Sequence, residues 1–392
     1  MVRIIVIVLA AVMAVAAAAF FWVVPVRVDA AMNVVRPHDP YVISPQARDL
    51  HASLRVADLH SDMLLWMRDP ENWNDRGHTD LPRLRAGGVA FQVFSAVTKS
   101  PSGQNYDSNS GDSDRITALA VAQRWPVDSW SSLYARARYQ ARRLTRLEAR
   151  SDGRLVIARD REQMRQALIA REQDAELMVT VLATEGAHPL EGDLANIDGL
   201  FDEGYRLIGL HHFFDNALGG SLHGLSNAGL TEFGRAAVAR MLERGMIIDL
   251  AHSSYAVVED VLAMTDRPLV VSHTGIYSHC EVRRNIPDRL MQEIASEGGL
   301  IGVGFWGDVT CDDTPRGVAQ TIVAAVELVG VEHVALGSDF DGTVTTTFDG
   351  SQFEVLTQEL LVLGMSEADI RLVMGENAIR FFLENLPAAS SG

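Results

Sequence analysis

The sequence predicts an α/β fold: a (β/α)8 TIM-type barrel with insertions, preceded by an N-terminal transmembrane or signal-anchor helix. Eight short apolar or β-branched runs follow one another, most separated by stretches of helical character, as expected of strands alternating with helices around a parallel sheet. Six of the eight finish in polar residues that a structural core would not select, and in a barrel such strand ends meet at one mouth. A long uncharged run at the N-terminus predicts the leading helix.

That run covers residues 4–24, with Arg3 before it and Pro25 and Arg27 after it. At ~1.5 Å per helical residue it matches the ~30 Å hydrocarbon thickness of a bilayer. A cleavable signal has an apolar centre of only ~7 to 15 residues, so the length favours a retained anchor, although Ala30 and Ala31 offer small residues for cleavage. Residues 1–28 are therefore read as membrane anchor or signal segment, and 29–50, with Pro37, Pro40 and Pro45, as a stiff linker. Residues 51–386 form the barrel and 387–392 a disordered tail. Either reading of the N-terminus places the folded body outside the cytoplasm.

The strands are expected at 55–62, 89–97, 177–185, 205–212, 246–252, 269–273, 300–305 and 333–339. Their near-continuous hydrophobicity suits parallel strands buried on both faces. Helical patterns lie between them, among others at 231–244, 254–264, 287–297 and 314–329. An open doubly wound sheet is disfavoured because no Gly-x-Gly-x-x-Gly follows the first strand. The longest insertion, 100–154, holds a Gly/Ser/Asp-rich piece and then an Arg-rich stretch at 131–150 that reads as a solvated helix face.

Composition narrows the chemistry. Asp and Glu number 51 against 34 Lys and Arg, a formal charge of −17, which repels phosphate backbones and disfavours nucleic acid as a partner. Lys99 is the sole lysine, so Schiff-base or P-loop chemistry would need that residue. Two cysteines, Cys280 and Cys311, cannot build an all-cysteine zinc site, and a metal would be held by His and carboxylates.

The strand ends supply those groups: His60-Ser61-Asp62, Glu185, His211-His212, His252, His273 and Asp339. His60 and Asp62 stand two apart on a strand and point to one side, so both can reach a single cation. Burying so many titratable groups together without a metal would cost several kcal/mol. His60, Asp62, His252 and His273 give four ligands, and Glu185 is the natural carboxylate bridge between two ions ~3.5 to 4 Å apart. Imidazole and carboxylate donors with open positions suit Zn2+ best, with Mn2+ or Co2+ as alternatives.

Taken together, the motifs resemble the membrane dipeptidase (renal dipeptidase) family of binuclear zinc peptidases, amidohydrolase-like barrels. The matching pieces are Asp58-Leu-His-Ser-Asp62, Asp80-Leu-Pro-Arg-Leu-Arg-Ala-Gly-Gly88, Thr184-Glu-Gly-Ala-His188, Asp249-Leu-Ala-His252, Ser272-His273 with Cys280-Glu-Val-Arg-Arg-Asn-Ile-Pro287, Gly337-Ser-Asp-Phe-Asp-Gly342 and Gly375-Glu-Asn377. The resemblance implies that His60 and Asp62 hold one zinc, His252 and His273 the other, and Glu185 bridges them. It implies that His212 polarises the substrate carbonyl, Arg284 takes the substrate carboxylate and Asp339 handles protons. The implied reaction is hydrolysis of dipeptides with a free C-terminal carboxylate by a zinc-activated water, and the family's usual state is a homodimer. Here the family's Thr-His is His211-His212, and the role is assigned to the second from its spacing after Gly204. Anchoring is N-terminal, whereas animal members are tethered at the C-terminus.

Three smaller expectations accompany this reading. Arg283 pairs with surface acids, and Asp341 caps or turns the loop after the last strand. Cys280 and Cys311 follow neighbouring strands at the same mouth, and in an exported protein they are candidates for a disulfide. Two rivals stand beside the dipeptidase: another metal-dependent amidohydrolase on the same barrel, such as a deaminase, lactamase or phosphoesterase, and a tethered binding module with structural metals.

Overall fold

The computed structural model describes residues 1–389. Eight strands form the barrel: β1 (Val56–Ser61), β2 (Val89–Val97), β3 (Met178–Glu185), β4 (Tyr205–Gly209), β5 (Ile247–Asp249), β6 (Val270–Thr274), β7 (Leu300–Val303) and β8 (Val334–Leu336). Each is parallel to its neighbours in sequence order, and the ring closes where Leu336 of β8 pairs with Asp58 of β1. Every residue of these strands is buried, which is why they read as unbroken apolar runs rather than alternating ones. All eight expected strands form.

The helices between them start where side chains can satisfy free N–H groups. Thr231 caps Glu232–Glu243, Ser254 caps Tyr255–Leu262, and Thr314, followed by Pro315, caps Pro315–Val329. Asp80 of the Asp-Leu-Pro-Arg motif caps Leu81–Ala86, so that motif is structural. The final helix, Asn377–Asn385, packs Ile379, Phe381 and Phe382 against Ala57, Phe91, Val179, Val270 and Ala335. These partners lie at or near the first residues of their strands, so the helix plugs the N-terminal end of the barrel and leaves the opposite end for the site. The Gly-Glu-Asn motif prepares this plug: a side chain at Gly375 would collide with the Arg55 carbonyl, and Asn377 Nδ2 donates to the carbonyls of Val331 and Val334 at the start of β8.

The N-terminal segment is helical from Val2 to Met32, long and apolar enough to cross a membrane, with a mean hydropathy of 3.0 in its most apolar window. Its first 18 residues bury nothing in the protein. The stretch 29–50 is docked rather than free: Asp29 is buried against Arg68 and Arg76, Val34–Val35 pairs in parallel with Thr345–Thr346, and Pro45–Ala52 is a helix. A third unforeseen strand, Leu155–Ile157, pairs with the first residues of β3. Two or three residues paired on one edge leave too short a pattern to recognise in sequence. Of the tail expected over 387–392, residues 390–392 lie outside the described residues, while the Pro387 carbonyl accepts from Arg161 N.

Three expectations change. The Arg-rich helix Leu133–Arg150 is not uniformly solvated: Arg136 is buried, donating to the carbonyls of Thr98 and Ser129 and to Asp114, and Arg143 donates to the carbonyls of Leu64 and Trp66. These arginines tie the loop after β1 and the insertion together, because a guanidinium satisfies several loop carbonyls at once. Asp341 does not cap a turn; it is fully buried, accepts from His78 N and pairs with Arg68 at 2.7 Å. Burial alone would raise its pKa, but Arg68 and His78 hold it well below the usual carboxylate range. Arg283 pairs with no acid among the described residues and donates instead to the Leu222 carbonyl and Asn227 Oδ1.

Cys280 and Cys311, 31 positions apart in sequence, are joined by a disulfide with Cα atoms 5.6 Å apart. Thiol titration of the denatured, unreduced protein should detect no free thiol, and two after reduction. Loss of a cross-link closing a loop of this length should cost about 3–4 kcal/mol. Asp58 is the second strut: its carboxylate accepts from Ser338 N at 2.8 Å, Ser338 Oγ at 2.7 Å and Gln92 Nε2 at 3.0 Å. Asp58→Ala would leave these buried donors unsatisfied, and equilibrium denaturation should report a loss of about 3 kcal/mol, with Asp58→Asn losing less.

Candidate metal centre

The mouth of the barrel collects side chains from six strand ends. His60 lies in β1 and Asp62 just beyond it, Glu185 ends β3, His212 stands three residues beyond β4, His252 three beyond β5, His273 lies in β6 and Asp339 three residues beyond β8. Glu185 is their centre. Its Oε1 lies 3.2 Å from His252 Nε2, 3.4 Å from His273 Nε2 and 3.7 Å from His60 Nε2, and its Oε2 lies 3.3 Å from His212 Nε2. His60 Nε2 is also 3.5 Å from Asp62 Oδ1 and 3.8 Å from Asp339 Oδ1.

The hydrogen bonds behind these groups decide what they present. Ser272 Oγ has one proton, and at 2.6 Å from Asp249 Oδ2 it donates there. His273 Nδ1, 2.8 Å from the same Oγ, is therefore the donor to it, and the Nε2 of His273 points inward as a bare lone pair. That lone pair faces His252 Nε2 at 2.9 Å. His60 Nε2 and Asp62 Oδ1, 3.5 Å apart, are buried with no hydrogen-bond partner. Unpartnered nitrogens and carboxylate oxygens converging in this way are the donor set of a divalent cation. Two overlapping groups could each hold one: His60, Glu185, His273 and Asp339, and Glu185, His212 and His252.

Electrostatics without a cation is one-sided. Burial, and then the charge of Asp62, pushes Glu185 well above the ordinary carboxylate range, and burial pushes Asp339 up to about 8. Burial pushes His252 and His273 well down, helped by Arg284 at the first and His60 at the second, and burial takes His212 down to about 3. Only His60 moves the other way, to about 10, because Asp62, Glu185 and Asp339 outweigh its burial. A cation at the centre answers both tendencies, since it lets carboxylates stay ionised and takes neutral imidazole lone pairs.

The backbone here is strained. His252 and Asp339 have φ of 62° and 58°, and Asp341 and Thr343 both have 66°, a region that non-glycine residues adopt at a cost of about 1–3 kcal/mol each when the surroundings impose it. His211 turns away from the site to Ser253 Oγ at 3.2 Å, so of the two adjacent histidines only His212 enters the cluster.

The cluster opens into a cavity of about 280 Å³ lined by Glu185, His212, His252, Asp339, Tyr106 and Trp306. Arg284 lies behind His252: its Nη2 donates to the His273 carbonyl at 2.8 Å and sits 3.3 Å from His252 Nε2, while its Nε is buried without a partner. Most of the cavity wall, including Tyr106, Arg115 and Met32, was not legible in the sequence. Tyr106, whose hydroxyl accepts from Trp306 Nε1 at 2.9 Å, and Arg115, a half-buried cation with no acidic partner among the described residues, both come from the 100–154 insertion. Met32 comes from the end of the N-terminal helix. No periodicity or spacing marks a wall residue contributed by an irregular insertion.

Residues 44–390 match the membrane dipeptidase family, peptidase family M19. The dipeptidase verJ of Clonostachys rogersoniana is 28% identical over 351 residues, 86% of this chain and 85% of its own length. Two solved structures share the fold at 24% identity. Dipeptidase AC, a metallopeptidase of family M19, has a TM-score of 0.70 over 86% of this chain and 100% of its own. A metallopeptidase from Rhodobacter sphaeroides, bound to a phosphinate mimic of the dipeptide L-Ala-D-Ala, has 0.69 over 85% and 99%. The match spans the whole barrel and every strand end that supplies the cluster, and the chain belongs to the membrane dipeptidase family.

Proposed function

We propose that this chain is a metallo-dipeptidase in which two zinc ions would be held by His60, Asp62, His252 and His273, with Glu185 shared between them. The observation that carries the reading is the set of inward lone pairs around Glu185 at the closed end of a cavity of about 280 Å³. That volume lies at the lower edge of the usual ligand-pocket range of ~300–1,000 Å³, which suits a small substrate. Bound there, the cation pair supplies Lewis acidity and a nucleophile at neutral pH.

The protein supplies the rest. Arg284, always charged, with an unpartnered Nε, takes the free carboxylate of the dipeptide through parallel hydrogen bonds. His212 polarises the substrate carbonyl from a position fixed by its Nδ1 at 3.4 Å from the Lys99 carbonyl and its Nε2 at 3.3 Å from Glu185 Oε2. Asp339 accepts a proton from the attacking water and returns it to the leaving amine. Its carboxyl is held up to about 8 by burial and lies 3.8 Å from His60 Nε2 at the edge of the cluster.

The disulfide supports a location. Such bonds persist in oxidising compartments, so the barrel lies on the non-cytoplasmic side, held by the apolar helix as a retained anchor.

Dialysis of the full chain against a chelator should abolish dipeptide hydrolysis, and zinc should restore it, with elemental analysis giving two ions per chain. A preparation that hydrolyses no dipeptide with either zinc or manganese present overturns the reading. Arg284→Ala should lower kcat/KM for dipeptides by ~30-fold or more, the worth of a charged hydrogen bond, with a much smaller effect on a C-terminally amidated substrate. His212→Ala should lower kcat by ~10²- to 10³-fold while leaving the metal content unchanged.

A further inference from the structure

The last turns of the N-terminal helix do more than attach it. Pro25, Val28, Asp29 and Met32 are spaced i, i+3, i+4 and i+7, which puts them on one helix face. That face meets the barrel: Pro25 and Asp29 are buried and Val28 and Met32 half-buried, whereas Val23 and Val24 are exposed. Val28 and Met32 pack on a cluster that includes Leu65, Trp66, Val97 and Ile116. The attachment is polar as well. Asp29 Oδ2 is 3.0 Å from both Arg68 Nε and Arg76 Nε, and Asn33 Oδ1 accepts from Thr343 N at 3.0 Å. The helix end is thus fixed to the loop that carries Asp339 and Asp341.

This position brings it to the substrate. Met32 lines the main cavity beside Glu185, His212 and Asp339. Val28 and Met32, with Leu65, Trp66, Ile116 and Leu119, also line a side pocket of about 70 Å³ that reaches Asp62, Glu185 and His212. With ~15 Å³ needed for each water, that volume is on the scale of a small aliphatic side chain.

We infer that this side pocket is a specificity subsite for an apolar side chain of the bound dipeptide, and that Val28 and Met32 of the anchor helix form its outer wall. The inference rests on the dipeptidase reading. It makes the anchor part of the active enzyme: a cut between Ala30 and Ala31 would remove Val28 and Asp29, opening the pocket and stripping Arg68 of one partner. It also sets the pocket close to the membrane, because Pro25 to Met32 rises only ~10 Å along the helix.

The test uses the full-length, zinc-loaded protein in detergent micelles and compares kcat/KM for Gly-Gly with that for Leu-containing dipeptides. Met32→Trp and Val28→Trp should each lower the Leu-to-Gly ratio at least tenfold, and Met32→Ala should raise it several-fold. Val24→Trp, on the exposed face, should leave it unchanged. Ratios within twofold of wild type in all three pocket variants overturn the subsite while leaving the dipeptidase intact, and an equal shift in Val24→Trp overturns the wall assignment. Wild-type protein without dipeptide turnover overturns both readings. Binding gives a separate readout. With Cys280 and Cys311 joined, the thiol of Met32→Cys can be alkylated selectively, and a saturating phosphinate mimic of a Leu-containing dipeptide should slow its labelling at least tenfold. A labelling rate unaffected by the mimic overturns the inference.

Discussion

The structure turns on the surroundings of one carboxylate. Glu185 lies within 3.2–3.7 Å of four imidazole nitrogens, and all five side chains are buried. In a medium of low dielectric the charge of such a carboxylate must be balanced close by, and His60 and Arg284 are the chain's own contribution to that balance. The cluster cannot relax by spreading apart, because each member is attached to the end of a different barrel strand. Closure of the ring through Leu336 and Asp58 therefore creates the site: an open sheet with the same strands would let its two edges, and His60 with Asp339, separate.

Holding the cluster requires support behind its members. The Asp249–Ser272–His273 chain fixes both the orientation and the tautomer of His273. Asp58 does the equivalent for β1 and β8 by accepting from Ser338, whose Oγ in turn accepts from Phe340 N. Asp341, locked to Arg68 and His78, holds the strained loop beyond Asp339. Three acids that belong to the recognisable motifs, Asp58, Asp249 and Asp341, thus act on the backbone and on other side chains. This explains why the motifs are longer than a list of ligands would need.

The barrel strands and the polar strand ends were legible because both follow from single residues and short-range pattern: eight buried runs, and titratable groups where a run stops. The segment 29–50 was misleading, since three prolines read as a stiff connector while the interactions that dock it, Asp29 with Arg68 and Val34–Val35 with Thr345–Thr346, lie far apart in sequence. Arg136 and Arg143 were misleading in the opposite sense. Charge density suggests a solvated face, yet a guanidinium is also the group best able to collect loop carbonyls in a buried place. Arg115, Tyr106 and Met32 could not be read at all, because a cavity wall built from an insertion and a remote helix has no period and no motif.

This division has a physical basis. Strand ends are rigid and converge by geometry, so they can place a ligand to within a fraction of an ångström, as cation binding demands. Recognition of a side chain needs only volume and polarity, which loops and the end of a docked helix can provide. The net charge of −17 adds a constraint on approach: an anionic surface discourages substrates carrying extra negative charge. Positive charge for a carboxylate must then be local, and Arg115 at the cavity wall and Arg284 behind His252 are the cations the chain places there. Chemistry fixed at the barrel mouth and selectivity assigned to the insertion and the anchor can vary independently, because the residues serving one are not the residues holding the other.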